Sequence, residues 1–528
     1  MKPTSTRSRT VVGLTLMFLT LAAAAELTDQ TQTPNAIHEG IAKSLTEEVG
    51  AGRGTVNTTG SSRYIIARDP FRAIRRGRQI FQRKFTVAQG LGPRKNDGIG
   101  GDISTDPALG AGIADSCAGC HGRPRGSAGF GGDVFTRPDS RDAPHLFGLG
   151  IKEMLGDEMT ADLRAQRANA LAAAQQQNRS VRIRLHSKGV SFGDLTANPN
   201  GTLNINEIDG VDSDLRVKPF FAHGGTFNIR QFVVGAFNDE MGLQSPDPDL
   251  RMASAGHRIV TPSGMVLDGE LDTLPRPAAE NDADDPDNDH VSNEIDPAIV
   301  DHMEFYLLNY FKPATYQRTI FTDLGRKLVH EMGCTECHQP TMTIEHDRRV
   351  ADVETRFDPA RGIFNHLFAT ATASFNEVKD SAVLPPLRAP IGARFVVHDF
   401  YSDLKRHDLG PNFWERNFDG TLRKEFMTTP LWGVGSTSPY GHDGRSVNLN
   451  EVIMRHGGEA QAARDRYVRF GAASQLAVQA FLSSLIIFPP DDTASNLNPG
   501  DPTAPNFPQR GHGGIRLPAL FLDPTDLE

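Results

Sequence analysis

The hydrophobic positions of the chain fall at helical spacing in two separate segments. The first lies within residues 69–86, and its apolar positions are Phe71, Ile74, Phe81 and Phe85. The second lies within residues 316–332, and its apolar positions are Phe321, Leu324 and Leu328. Intervals of three, four and seven residues place side chains on one face of an α-helix. The pattern therefore predicts an amphipathic helix in each segment.

These two predicted helices are similar in further detail. A Gly-Arg pair occupies a comparable place in each, Gly77-Arg78 in the first and Gly325-Arg326 in the second. Each helix also precedes a motif with two cysteines. We interpret the similarity as a weak internal duplication. The predicted fold class is mainly α, with two helical modules at residues 70–245 and 298–490.

The rest of the chain differs in composition from these modules. We expect an insertion at about 155–215 that starts with an alanine- and glutamine-rich helix, "ADLRAQRANALAAAQQQNR". Residues 246–297 form a second insertion, rich in Asp and Pro. Residues 26–69 are an N-terminal extension, and 491–528 are predicted to be an extended, poorly ordered tail.

The N-terminus has the pattern of a secretory signal peptide. Lys2, Arg7 and Arg9 precede an apolar run from Val11, and small residues end at Ala25. The run is about 15 residues, shorter than the roughly 20 that a membrane helix needs. We expect residues 1–25 to be removed, and the remaining chain to be periplasmic and not an integral membrane protein.

The amino-acid composition limits the classes of partner that the protein can bind. The 528 residues carry a formal net charge of -10 without a basic block, which argues against nucleic acid as a partner. Only 38% of residues are hydrophobic, and the chain contains 51 Gly and 34 Pro. We interpret this as a loop-rich protein in which bound cofactors supply part of the apolar core.

All four cysteines belong to two Cys-x-x-Cys-His motifs, namely Cys117, Cys120 and His121, and Cys334, Cys337 and His338. A redox-active pair needs no histidine after it, and a zinc site usually takes four ligands from motifs close in sequence. The pattern is the attachment signature of c-type haem, in which both thiols become thioethers and the histidine binds iron. We predict two covalent haems, with a zinc cluster joining the motifs as the alternative.

Downstream motifs add a family resemblance. They are "PLWGVG" at 430–435, "HDGR" at 442–445 and "HGGEA" at 456–460, preceded by "FYSDLKRHDLGP" at 400–411. Together with the haem motifs they resemble the di-haem oxidoreductase family, which is related to the bacterial di-haem cytochrome c peroxidases. The resemblance covers roughly residues 70–155, 210–245 and 300–490. It implies two cytochrome c-like haem domains with loop-rich insertions, and the haems on facing sides.

In the peroxidases, a methionine 14 residues after the H-D-G histidine binds the second iron opposite the proximal histidine. The corresponding residue here is His456, while Met454 would face about 200° away on a helix. We therefore predict His338 and His456 as the axial ligands of the second haem. The alternative is that His456 only ends a helix. Two histidine ligands would give a lower potential than histidine and methionine.

For the first haem, the resemblance implies a proximal His121 and distal residues Gln231 and Glu240. Peroxide cleavage needs a group that takes and returns a proton, which suits Glu240, and an amide can position the peroxide. The family separates these two residues by ten positions and this chain by nine. A solvated carboxylate is the alternative for Glu240. No histidine before His145 suits a distal ligand, and His145 is expected to be structural, so we expect an open sixth position.

The tryptophan usually placed between the haems has no equivalent, since Phe221 stands at that offset. Trp432 is either a substitute electron relay or a packed core residue, and the core role is favoured.

Two calcium sites are considered. The resemblance places one between the domains, with Asp142, Thr437 and Pro439 as ligands. The other is an EF-type pattern, with Asp285, Asp287, Asp289 and Asp296 at positions 1, 3, 5 and 12. His290 stands where that loop wants glycine. The alternative is a solvated linker in which Asp296 caps the helix that Pro297 begins.

The leading hypothesis is an exported di-haem oxidoreductase that reduces hydrogen peroxide at the first haem. The second haem would relay electrons from a small redox protein, a cytochrome c or a cupredoxin. A homodimer is compatible with this assignment. The alternatives are haem-dependent oxidation or oxygenation of an organic or protein substrate, and a non-catalytic di-haem electron carrier.

Overall fold

The computed structural model describes residues 44–91, 115–121, 143–309, 314–315, 318–357, 367–417, 420–435, 437–486 and 514–516. The helices of these ranges are α1 (Leu45–Val49), α2 (Ser62–Arg68), α3 (Pro70–Gln82), α4 (Cys117–His121), α5 (Leu149–Gln177), α6 (Ile229–Met241), α7 (Pro248–Ser254), α8 (Pro297–Asn309), α9 (Ile320–Glu331), α10 (Leu449–Arg455), α11 (Gln461–Arg469) and α12 (Ala472–Ser483). The predicted signal peptide lies outside the described residues.

The strands are β1 (Val181–Ser187), β2 (Val190–Ala197), β3 (Leu203–Ile208), β4 (Arg258–Val260), β5 (Val266–Asp268), β6 (Ala314–Thr315), β7 (Thr341–Ile344), β8 (Ala351–Phe357), β9 (Leu367–Ala373), β10 (Phe375–Val378), β11 (Leu387–Pro390), β12 (Phe395–His398), β13 (Arg406–Asp408), β14 (Glu415–Arg416), β15 (Leu422–Arg423), β16 (Glu425–Met427), β17 (Leu485–Ile486) and β18 (Gly514–Arg516). The described strands form eight small sheets, two of three strands and six of two.

The prediction of a mainly α fold is wrong. The structure is 38% helical and 17% strand, and its class is mixed α/β. Twelve of the described strands, β6 to β17, lie within residues 298–490, which were predicted as a helical module. The antiparallel meander β1-β2-β3 fills the second half of the 155–215 insertion, and β18 in the C-terminal tail pairs with β9. Most of the other sheets pair only two short strands, and such pairs depend on contacts that a local pattern does not report.

Both predicted amphipathic helices are present, as α3 and α9. Asp69 caps α3 ahead of Pro70, and Thr319 caps α9. Ile74 and Phe81 are buried as expected. Phe321 and Leu324, by contrast, remain 45% and 44% exposed, so the apolar stripe of α9 is only partly covered.

The duplicated glycines have the same structural role. A Cβ atom on Gly77 of α3 would overlap the carbonyl oxygen of His302 in α8, and one on Gly325 of α9 would overlap that of Ala477 in α12. Each glycine therefore lets its helix approach the backbone of a later helix more closely than a side chain would permit. The first helix of each pair precedes a Cys-x-x-Cys-His motif in the sequence, α3 the first motif and α9 the second.

The helix predicted in the alanine-rich segment is the second half of α5, which runs for 29 residues. Its buried positions, including Leu155 and Leu163, pack with the inward residues of the meander, such as Phe192 and Leu195. The core of the chain therefore extends from the helical modules into the insertion. No helix of the described ranges combines the length and the apolarity that crossing a membrane requires.

Candidate functional site

The first Cys-x-x-Cys-His motif forms the short helix α4. At its end, Nδ1 of His121 lies 2.6 Å from the carbonyl oxygen of Pro144. A carbonyl only accepts hydrogen bonds, so Nδ1 carries the proton and Nε2 keeps a lone pair for a metal. Cys117 is half-buried and forms no disulfide. The side chain of Cys120 lies outside the described part.

The second motif repeats this arrangement. Nδ1 of His338 lies 2.9 Å from the carbonyl oxygen of Tyr401. Cys334 and Cys337 are half-buried and are not joined by a disulfide. Among the side chains that the structure describes, cysteines of the two motifs do not meet in a common cluster of metal-ligating atoms. This agrees better with two separate haem sites than with one zinc site.

The structure brings His456 close to His338. His456 directly follows α10, and its Nδ1 lies 2.6 Å from the carbonyl oxygen of Val452. The pKa of His456 is lowered to about 4, mainly by burial, and the nearby His338 and Arg455 contribute to the same shift. Met454 is instead 42% exposed. Of the two candidates for the distal ligand, His456 is therefore the buried one, and iron binding by it stays a prediction.

The "HDGR" motif holds the end of α10 in place. Asp443 accepts hydrogen bonds from both terminal nitrogens of Arg455, at 3.2 Å and 2.7 Å. Arg455 also lies over the ring of Phe413, 4.4 Å from its centroid, and Phe413 makes an edge contact with the ring of His456. The Arg455 guanidinium helps to hold the pKa of Asp443 below its usual value, although burial opposes this. The next residue along the chain is the predicted ligand His456.

Sequence reasoning missed a buried group beside the second motif. His407 on β13 lies between two carboxylates, with Nε2 2.9 Å from Asp403 and Nδ1 2.7 Å from Glu459. Cys337 Sγ is 4.0 Å from the same ring. Burial lowers the pKa of His407, but the hydrogen bond to Asp403 and the contact with Cys337 outweigh it and raise the pKa to about 11.

The sequence did carry a signal for this group. Asp403 and His407 belong to the 400–411 stretch, and Glu459 belongs to "HGGEA", both of which were used only as marks of family resemblance. The structure gives them a physical role, because Glu459 also accepts a hydrogen bond from the backbone of Asp408 at 2.8 Å. The group fastens the segment after His456 to the segment that faces the second motif.

His442 of "HDGR" is also held in an apolar setting. Its ring stacks on Phe426, with centroids 4.0 Å apart, and its Nε2 lies 2.8 Å from a carboxylate oxygen of Glu415. An imidazole suits this position because it can stack on an aromatic ring and pair with a carboxylate at the same time. Iron binding remains the predicted role of His456.

The predicted distal residues of the first haem both lie on α6. Asn228 caps this helix, and its side-chain amide donates to Oε1 of Gln231 at 3.3 Å. Nine positions along a helix amount to a rotation of about 180°, so Gln231 and Glu240 lie on opposite sides of α6. Asn238, seven positions after Gln231, lies within about 20° of it. The structure therefore does not bring the two predicted residues together on one face.

The other predicted residues of the first site are placed as follows. Trp432 is buried and makes an edge contact with Phe400, 5.1 Å between centroids, which agrees with a packed core residue. Burial lowers the pKa of His145 to about 3, as expected for a neutral structural imidazole. Phe221 is largely exposed and stacks on His223.

The two predicted calcium sites have different outcomes. Asp142 lies outside the described residues, and Thr437 and Pro439 are half-buried on the surface beside "HDGR". In the acidic loop, one ligand oxygen each of Asp285, Asp287 and Asp289 lies within 4.8 Å of the others. Asp296 does not join them, and its Oδ1 accepts from the backbone of Ala298 at the start of α8.

Comparison with known proteins gives one match. None of the curated proteins compared is similar to this chain. Residues 348–485 match the family model described as "Di-haem oxidoreductase, putative peroxidase". The matched segment contains His407, the "HDGR" motif and His456, and it begins ten residues after His338. Over residues 348–485 the chain is therefore similar to the di-haem oxidoreductase family, which its motifs also resemble.

Proposed function

We propose that the chain is an exported di-haem c-type oxidoreductase that reduces hydrogen peroxide at the first haem. The family description supports a haem-dependent oxidoreductase with peroxidase-like activity. The observation that carries the proposal is shared by the three histidines predicted to bind iron. Nδ1 of His121, His338 and His456 each lies within 2.9 Å of a backbone carbonyl oxygen.

This arrangement fits haem ligation. Because each carbonyl accepts the Nδ1 proton, each imidazole is held in the tautomer whose Nε2 can bind iron. The carbonyl also restricts rotation of the ring, so a metal would meet a preoriented donor. His338 and His456 come from different segments but lie close together, as two axial ligands of one haem must. The cysteines of each motif would supply the thioether links.

A bound haem would supply the iron at which peroxide is cleaved and the electrons that reduce it. Two residues of α6 would serve the first haem in different ways. We assign Gln231 to hydrogen bonding with the peroxide, because its side chain is already oriented by Asn228. Glu240, on the opposite side of α6, would carry protons toward the site rather than touch the same atom as Gln231.

The second haem would receive electrons from a small periplasmic redox protein, a cytochrome c or a cupredoxin. His338 and His456 as ligands would give that haem a low potential, which would require a donor of matching potential. The same feature favours a second candidate function, the oxidation or oxygenation of an organic or protein substrate.

One experiment separates these possibilities. The pyridine haemochrome spectrum of the purified protein should show two c-type haems per chain. The ferric EPR spectrum should contain one high-spin and one low-spin haem, and peroxide should alter the high-spin signal and then be consumed when a reduced cytochrome c is supplied. Peroxide consumption only in the presence of an oxidisable organic substrate would indicate the second function. Two low-spin haems that stay inert to peroxide after half-reduction would contradict both and leave an electron carrier.

A further inference from the structure

His407 connects the two segments that carry or orient the predicted axial ligands of the second haem. Its side chain is buried, with Nε2 2.9 Å from Oδ2 of Asp403 and Nδ1 2.7 Å from Oε2 of Glu459. Because an ionised carboxylate only accepts hydrogen bonds, both nitrogens donate and the ring carries a positive charge. His407 therefore joins Asp403 to Glu459 through two charge-assisted hydrogen bonds.

Asp403 belongs to the segment that orients the proximal histidine. It lies two residues after Tyr401, whose carbonyl oxygen accepts from Nδ1 of His338 at 2.9 Å. Asp403 is 2% exposed, and its Oδ1 accepts from the backbone of Lys405 at 3.0 Å. Both oxygens of this carboxylate are therefore bonded, and it is a fixed anchor for the imidazolium.

Glu459 belongs to the segment that carries the predicted distal ligand, three residues after His456. Its second oxygen, Oε1, accepts from the backbone of Asp408 at 2.8 Å. The backbone amide of Gly457, which directly follows His456, donates to the carbonyl oxygen of Leu409 at 2.9 Å. The chain after the distal histidine is therefore held against the end of β13 and the residue that follows it.

His456 is thus held from both sides in the sequence, by two contacts with different effects. Before it, Arg455 binds Asp443 of the "HDGR" motif, which fixes the end of α10. After it, Glu459 binds His407, which fixes the distal segment to the segment that orients the proximal histidine. The second contact therefore sets the separation of the two predicted axial ligands.

The imidazolium also separates two like charges. Asp403 and Glu459 approach the same ring at its two nitrogens, so these carboxylates would repel each other if the positive charge between them were lost. Sγ of Cys337 lies 4.0 Å from the ring, which places this balance of charges beside the predicted haem attachment. Loss of the charge on His407 would therefore drive the distal segment away from the proximal one.

We propose that His407 is a positioning residue for the second haem, which retains His456 at the iron by tying its segment to the one that orients His338. The inference rests on the proposed function, because it takes these two histidines as the axial ligands. It adds a residue outside the ligand set that controls how often the distal histidine leaves the iron.

Carbon monoxide binding to the fully reduced holoprotein, followed by stopped flow, tests the proposal. The first haem should bind CO in a fast phase, and the second only when His456 leaves the iron, in a slow phase. In His407→Gln and in Glu459→Ala the slow phase should be about tenfold faster, because each variant loses at least one charge-assisted hydrogen bond. The fast phase is the internal control, and His257→Gln, at an exposed histidine before β4, is the matched control.

Glu459→Ala keeps the test valid if His407→Gln does not fold, because the Glu459 side chain is 47% exposed. Glu459→Gln, whose amide oxygen can still accept from Nδ1 of His407, should restore part of the slow rate. An unchanged slow phase in the folded variants, or an equal acceleration of both phases, overturns the inference and leaves the ligand assignment intact. A wild-type second haem that binds CO as fast as the first would instead overturn the ligand assignment, and the inference with it.

Discussion

Arg455 binds Asp443 through both of its terminal nitrogens, with Nη2 2.7 Å from Oδ2 and Nη1 3.2 Å from Oδ1. Arg455 is the last residue of α10, and the next residue is His456. The pair therefore fixes the point at which the chain leaves the helix and turns the imidazole toward His338. A charge-assisted, two-point contact gives orientation as well as attraction.

Asp443→Asn is expected to disturb the second haem without removing any of its ligands. The amide can accept only one of the two hydrogen bonds, so the end of α10 loosens and His456 samples more orientations. The low-spin EPR signal of the second haem should broaden and shift. Asp465→Asn is the control, because Asp465 is partly exposed on α11 and pairs with Arg464. An unchanged low-spin signal in Asp443→Asn would show that Arg455 does not position His456.

His456 itself can be tested by exchanging the ligand. His456→Met should keep the second haem low-spin and raise its midpoint potential, because thioether ligation favours ferrous iron relative to imidazole. Met454→Leu is the matched control, and its potential should equal that of the wild type because Met454 points toward solvent. Redox titration followed in the visible spectrum measures both. A change on replacing Met454 and none on replacing His456 would reverse the assignment.

The helices that carry the motifs could be predicted because their signals are local. Helical spacing, the caps Asp69 and Thr319 and the repeated Gly-Arg pair all lie within one segment each. The strands could not, since β13 meets β16 across a long loop and β18 meets β9 from the far end of the chain. The predicted fold class was wrong for this reason, although the two amphipathic helices α3 and α9 were correctly predicted.

The residues of the candidate site also divide into those that a local sequence pattern predicts and those that it does not. Spacing and the family resemblance led to the prediction of the two proximal histidines and of His456 rather than Met454 as ligands. His407 contacts Asp403 and Glu459. Glu459 is 52 residues further along the chain, so a local sequence pattern does not predict this contact. In the acidic loop, Asp296 does not join Asp285, Asp287 and Asp289, because it accepts from the backbone of Ala298 at the start of α8. Tertiary packing, rather than the motif, decides such positions.

The opposite orientations of Gln231 and Glu240 predict separable defects. Gln231→Leu should weaken the positioning of peroxide and lower kcat/KM at every pH. Glu240→Gln should lower kcat by about 10²- to 10⁴-fold, because a general acid–base group is lost. Stopped-flow rates with peroxide over a pH series measure both. Ala236→Ser, a change elsewhere on α6, is the control. Normal turnover in Glu240→Gln would remove Glu240 from the mechanism.

Glu304 should make stability depend on pH. Burial raises its pKa from 4.5 to about 7, although Arg230 and Thr261 partly oppose this. In this range the folded protein keeps a proton that the unfolded chain has lost, so stability should fall as the pH rises from about 4.5 to about 7. Glu304→Gln lacks this dependence. Urea midpoints at about pH 5 and about pH 8 measure it. The contribution is absent if the wild type and the variant differ by the same amount at both values.

The largest effect on stability is expected at Arg230, one residue before Gln231. Its guanidinium is fully buried and contacts three carboxylates, Asp247 at 2.6 Å and Asp301 and Glu304 at 2.8 Å each. These carboxylates come from the segment before α7 and from α8. Arg230→Met would leave Asp247 and Glu304 buried without this cation, whereas Asp301 would keep its contact with Arg53 at 3.1 Å. Breaking a buried ion pair in this way costs about 3–5 kcal/mol.

Equilibrium unfolding in urea measures this cost, and the exposed pair of Arg276 with Glu280 provides the comparison. Arg276→Met should change the free energy of unfolding by at most about 0.5 kcal/mol, since exposed pairs on one short segment contribute little. A similar, small effect of both substitutions would mean that the carboxylates around Arg230 take up protons when it is lost. If the carboxylates take up protons, the stability of Arg230→Met should approach that of the wild type as the pH is lowered. If they stay charged, the variant should remain destabilised until the pH is well below neutral, where the carboxylates titrate.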